Sequence, residues 1–158
     1  MSPVSGQPAN ANDVWFRVLT DPKYWKRDGK LHNSAFGGKA ISPPKQPKGY
    51  TLELSGRLLS LTIDVEAEAK EYCTAPREYS GIMYQTVQKL RTNGTDSDPI
   101  PGCPTDVIYT PNADTAHADL VAYGPTFENR YLIRDWLQEF IQCARPGHCG
   151  TIEALRRA

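Results

Sequence analysis

Hydrophobic and polar positions along the chain alternate in short bursts separated by turn-forming residues, a strand-rich pattern with few long helical stripes. Val14-Trp15-Phe16-Arg17-Val18-Leu19 is a run of β-branched and aromatic residues closed by Thr20-Asp21-Pro22, which predicts a first strand with Val14, Phe16 and Val18 on one face. Asp21-Pro22 is suited to opening a helical turn through Tyr24 and Trp25, and Asp28-Gly29 is a turn signal. Tyr50 to Leu54 alternates, Gly56 interrupts, and Leu58 to Val65 alternates again with Leu59, Leu61, Ile63 and Val65 in phase, the clearest strand pattern in the chain. Glu66 to Tyr72 then turns to strong helix formers, with Asp64 placed to cap them.

Further on, Gly81 to Val87 predicts a strand that gives way to a helical Val87 to Arg91. Asp106 to Pro111 and His117 to Gly124 predict two strands close enough to form a hairpin. Leu132, Ile133, Trp136, Leu137, Phe140 and Ile141 make one apolar stripe at helical spacing, so a C-terminal amphipathic helix is expected over 129 to 143, with a short helix from Ile152 to Arg156. The expected fold is a single small α+β domain: an antiparallel or mixed sheet of four to five strands with the C-terminal amphipathic helix packed on it. Residues 1 to 13 offer little to bury and read as a flexible lead, and 14 to 158 form the globular domain, with a Pro-rich loop at 42 to 50.

Composition narrows the function classes. The chain has 158 residues, with 18 Lys+Arg against 18 Asp+Glu, 23% charged and 39% hydrophobic residues. That is enough material for one core, and the charge balance gives no overall case for nucleic acid. A local basic patch at Lys23, Lys26, Arg27 and Lys30 is the exception to that neutrality. No apolar run approaches the roughly 18 residues of a membrane span, and the N-terminus has neither the basic start nor the apolar centre of a secretory signal. A cytoplasmic protein that engages neither membrane nor nucleic acid is expected, its four cysteines remaining free thiols.

Three clusters could carry chemistry. Cys143, His148 and Cys149 place three metal-competent ligands within seven residues, but the spacing is not a common zinc pattern and ordinary thiols beside a helix end are the plainer reading. Around a turn, Thr110 to Asp119 sets His117 and Asp119 two residues apart, so on a strand they share a face and the carboxylate could orient the imidazole for general base work. The plainer reading there is an Asx turn at Asp114 with His117 bonded to loop backbone. Between Tyr24 and Phe36, aromatic and basic residues (Trp25, Lys26, Arg27, Phe36) accompany His32; they could grip an anion, or Trp25 and Phe36 could simply pin the segment to the core. Gly-x-Ser-x-Gly, His-Glu-x-x-His and a Gly-rich phosphate loop are all absent, and no cofactor is implied.

Trp25-x-x-x-Gly29, Ala35-Phe36, Thr110-Pro111 and Ala116-His117-Ala118-Asp119 resemble a pattern in a group of uncharacterised small bacterial proteins. The resemblance implies that Trp25, Gly29, Phe36, Pro111, His117 and Asp119 lie near one another. It also implies a bacterial accessory protein of the antitoxin, immunity or defence kind. Because nothing in the chain assembles a recognised active site, the expected function is a non-enzymatic accessory or regulatory module that binds another protein through Trp25, Lys26, Arg27, Phe36 and Pro111. The alternative is a small enzyme using His117 with Asp119 or His32, with ADP-ribosyltransferase-like or hydrolytic chemistry on a nucleotide-like or peptide-like substrate.

Overall fold

In the computed structural model, residues 2–36, 39–40, 50–92, 105–123, 138 and 141–157 are described. They form an α+β fold around one antiparallel sheet. Its strands are β1 (Val14–Val18), β2 (Lys39–Ala40), β3 (Tyr50–Leu58), β4 (Ile82–Thr86), β5 (Thr105–Tyr109), β6 (His117–Tyr123) and β7 (Gln142–Ala144). The order across the sheet is β5-β6-β3-β1-β4-β7, with the short β2 pairing beside β3. This is more than the four to five strands expected, because β2 and β7 are too short to carry a period of their own. The helices are α1 (Val65–Tyr72), α2 (Val87–Arg91) and α3 (Gly150–Ala154).

Strand alternation divides the core in two. Trp15, Leu19, Leu54, Leu58, Met83 and Ala118 pack on one face with α2 residues Val87 and Leu90. Val14, Phe16, Val18, Ile82 and Tyr84 face the other way, against Val65 and Ala69 of α1 and Ile152 of α3. The expected facing of Val14, Phe16 and Val18 is therefore observed, but β1 is buried on both sides because it is a central strand.

Gly56 does not interrupt a strand; it lies inside β3, paired with Ala118 of β6. A Cβ there would sit 2.3 Å from Cε2 and Nε1 of Trp15, so the missing side chain lets the indole lie across the strand. The indole Nε1 then donates to the Ala118 carbonyl at 3.1 Å.

The strand expected from Leu58 to Val65 is a correction. β3 stops at Leu58, Leu59–Leu61 is a single 3-10 turn, and Val65 already belongs to α1. The cause is a set of polar contacts distant in sequence. Asp13 takes the Ser60 amide at 3.1 Å and its hydroxyl at 2.5 Å, while Arg156 donates to the carbonyls of Leu59 at 2.9 Å and Thr62 at 2.5 Å. Ile63, expected in phase with the core, is 93% exposed. Asp64 caps α1 as expected, accepting from the Ala67 amide at 3.1 Å.

Residues expected as a lead outside the domain are bonded to it. The amides of Gly6 and Ala9 donate to the carbonyls of Tyr109 and Val107, and the Tyr109 amide donates back to Gln7, so this segment lines the outer edge of β5. Residues 42–49 of the expected Pro-rich loop lie outside the described residues, its last residue, Tyr50, begins β3, and most of the amphipathic helix expected at 129 to 143 also lies outside them. Gln138 is helical, but Gln142 and Cys143, expected to end that helix, begin β7 and pair with Tyr84 and Met83 of β4.

Candidate functional site

The two edges of β3 are paired unequally. One edge runs beside β6 almost continuously from Tyr50 to Arg57. On the other edge β1 meets only Arg57 and Leu58, and β2 meets only Leu52 and Glu53. Among the described residues Leu54 to Gly56 therefore have no strand partner on that edge, and the β1–β3 pairing ends at Arg57. Arg17 fills the opening, its Nη1 donating to the Ser55 carbonyl at 2.7 Å. A guanidinium thus satisfies a backbone acceptor that a neighbouring strand would otherwise have taken.

A cleft of about 190 Å³ opens at this split, on the face that carries α1. Arg17, Val18 and Thr20 come from the β1 side, Ser55, Gly56 and Arg57 from β3, and His117 and Asp114 from the start of β6 and the turn before it. Tyr72, the last residue of α1, and Arg77 complete the wall.

The three arginines of the cleft differ in their partners. Arg57 is neutralised: Nη2 lies 2.8 Å from Glu68 Oε1, and Nε lies 2.9 Å from Asp114 Oδ2. Arg17 and Arg77 pair with no carboxylate among the described residues. Arg77 instead stands over the Tyr72 ring, 5.1 Å from its centroid. Burial lowers the Arg17 guanidinium from its ordinary value, partly offset by Tyr24, Tyr72 and Asp119. It remains a cation in a place where water cannot fully solvate it.

His117 enters the cleft from a fixed position. The Thr110 hydroxyl donates to Asp119 Oδ2 at 3.0 Å, so its proton is spent. The Nδ1 of His117, 2.8 Å from the Thr110 carbonyl and 3.0 Å from its hydroxyl oxygen, must then be the donor. Nε2 lies 3.7 Å from Asp119 Oδ1, a buried oxygen with no hydrogen-bond partner among the described residues. His117 and Asp119 share a face, as the spacing predicts, and Thr110 is the third member. Asp114 forms the expected turn, its Oδ1 accepting the Ala116 amide at 3.1 Å, and it also holds Arg57.

The other candidates do not join this site. Phe36 is buried in the core, and Trp25 packs against the same cluster, its Nε1 donating to the Ser80 carbonyl at 2.5 Å. Both belong to the face opposite His117 and Asp119, so the six residues linked by the bacterial resemblance are not gathered at one place. His32 is exposed and does not line the cleft; Arg27 is exposed, Lys26 and Pro111 half-buried.

Cys143 and Cys149 are also parted by the sheet. Cys143 packs with the Trp15 cluster, whereas Cys149 lies in the Phe16 cluster, 3.4 Å from the Tyr79 hydroxyl. His148 is exposed, and among the described residues no three His, Cys, Asp or Glu side chains are grouped to hold a metal. Cys73, Cys143 and Cys149 are free thiols, each pushed up from its ordinary value by burial.

Sequence reasoning passed over Arg17, Tyr72 and Arg77. One signal for Arg17 was available: a charged residue inside a run otherwise apolar on both faces needs a reason to be there. Nothing local marks Tyr72 or Arg77, which meet the cleft only because α1 packs across the sheet. Among the described residues no helix is long and apolar enough to cross a membrane. No family model matches the chain, no curated protein is similar to it in sequence, and no solved structure matches its fold.

Proposed function

We propose that this protein is a binding module whose recognition site is the cleft between β1 and β3, and that the group it recognises is an anion. The observation that carries this reading is the unequal neutralisation of the cleft's arginines: Arg57 is held between two carboxylates, whereas Arg17 and Arg77 line the same space and form no ion pair among the described residues. Arg17, a half-buried guanidinium with unused donors, gains more from an incoming oxyanion than the exposed Arg77, because less water competes for it. The Trp25 and Phe36 surface is a weaker candidate, since both side chains are spent on the core. Of the large exposed hydrophobics of the described residues, Val4, Ile63 and Tyr72, Tyr72 alone lines the cleft.

An accessory or regulatory role in a bacterial system fits this reading if the anion belongs to the partner or to a signal that the partner reads. A second reading, a small enzyme, draws on one specific observation: His117 lines the same cleft with its Nδ1 proton fixed by Thr110. A base held in one tautomer beside an anion site is suited to proton transfer.

The experiment is calorimetric titration of the full chain with inorganic phosphate at low and raised salt, repeated on Arg77→Gln and His117→Ala. Salt-sensitive binding that Arg77→Gln weakens supports the anion site. Absence of phosphate binding at low salt overturns it. Under the binding reading His117→Ala weakens affinity at most; an anionic substrate turned over by the wild type and left intact by His117→Ala would move the assignment to the enzyme.

A further inference from the structure

We infer that the anion is the phosphate of a nucleoside phosphate, with the base stacked on Tyr72; this inference rests on the anion-binding reading above. The cleft is graded from its floor to its mouth. At the floor, Arg17 has given one donor to Ser55, and its remaining donors have no other acceptor among the described residues; the Thr20 and His117 side chains line the same space. At the mouth, Tyr72 is 50% exposed at the C-terminal end of α1, with the Arg77 guanidinium against its ring. Of the large exposed hydrophobic residues, Val4 and Ile63 lie away from the cleft and Tyr72 is on its wall. The site therefore offers charge within and an aromatic surface without.

Size and chemistry select the ligand class. At about 190 Å³ the cleft is smaller than the roughly 300–1,000 Å³ of a pocket that encloses a whole small molecule, so it takes a head group and leaves the rest of the ligand at the rim. A phosphate suits Arg17 because the planar fork of a guanidinium matches two oxygens at once. The part left at the rim meets a half-exposed phenol ring and a second guanidinium, both of which prefer a flat π-faced group to an aliphatic chain. A plain carboxylate, or an acidic peptide without a ring, would leave the Tyr72 surface unused.

The test compares ligands on the full chain by calorimetry: inorganic phosphate, ribose 5-phosphate, phenyl phosphate, the four ribonucleoside 5′-monophosphates and the corresponding nucleosides. At least one nucleoside monophosphate is expected to bind tighter than inorganic phosphate and ribose 5-phosphate by roughly five- to a hundredfold, the worth of one stacked base. Tyr72→Leu is expected to remove that advantage, read as the ratio of nucleotide to inorganic phosphate affinity within the same variant, so that any change in phosphate binding itself cancels. Nucleotides that bind no tighter than inorganic phosphate overturn the nucleoside assignment and leave the anion site standing. So does phenyl phosphate binding tighter than every nucleotide, which would instead indicate a phosphorylated tyrosine of a partner. Nucleosides that bind as well as their monophosphates overturn it too, because the phosphate would then contribute nothing. If neither phosphate nor any nucleotide binds, the anion site itself is wrong. The ligand comparison on the unaltered chain decides the matter even if Tyr72→Leu folds poorly.

Discussion

The indole of Trp15 lies across the backbone of Gly56, filling the space where a side chain would stand, and reaches the Ala118 carbonyl on the next strand. One residue of β1 thus ties β3 and β6 together from above, where β1 itself pairs with β3 at only two positions. The narrow pairing leaves room for Arg17, and the Trp15 bridge keeps the opened sheet from parting further. The cleft therefore depends on a glycine whose missing side chain seats the indole.

Gly56→Ala is expected to destabilise the protein by about 1–3 kcal/mol, since the new methyl must displace either the indole or the Phe16 carbonyl. Urea unfolding followed by tryptophan fluorescence measures it. A midpoint unchanged from the wild type would mean that Trp15 does not rest on this strand.

Thr110→Val removes a hydroxyl that serves both Asp119 and His117. The buried Asp119 carboxylate then loses its hydroxyl donor, at a cost of roughly 1–3 kcal/mol, while Thr110→Ser should recover most of the loss. Thermal unfolding of the two variants side by side checks this. Equal destabilisation by valine and serine would point to the methyl rather than to the hydroxyl.

Glu68 makes stability depend on acid. Burial raises its carboxyl, but the Asp64 amide, Arg57 and the Ile63 amide outweigh that and hold it below the ordinary value. A group depressed in the folded state contributes its full stability above the unfolded value and loses it as pH falls through the folded one. Stability should therefore drop as pH is lowered through about 4 and below, and Glu68→Gln should flatten that part of the profile. Urea midpoints measured from neutral to acid pH for both proteins decide it; parallel profiles would count against the role of Glu68.

The segment from Gly6 to Ala9 covers an edge strand. Removing residues 1 to 9 takes away the amide and carbonyl partners of Val107 and Tyr109 and leaves β5 with an open edge. It also removes the Ala9 carbonyl that Arg91 holds at 2.6 Å. Open edges pair with other chains, so the truncated protein is expected to associate at concentrations where the full chain does not. Sedimentation velocity of the two proteins at matched concentration reads this directly, and a truncated protein that associates no more than the full chain would show that the edge needs no cover.

What the sequence by itself determined was local. β1 and β4 to β6, the β5–β6 hairpin, the Asp64 cap of α1 and the helical step at Val87 all follow from alternation or capping within a few residues, where propensity and pattern agree. The same local logic placed His117 and Asp119 on one face. It failed at Leu58 to Val65, where a good alternating pattern is overruled by Asp13 and Arg156, about fifty and a hundred positions away in the chain. Only the tertiary structure decided that Trp25 and Phe36 are core anchors, that Cys143 and Cys149 stand on opposite sides of a sheet, and that Arg17, Tyr72, Arg77 and His117 share a cleft. Those relations depend on the order and register of the strands, which are set by long-range burial and hydrogen bonding and leave no periodic trace in the chain.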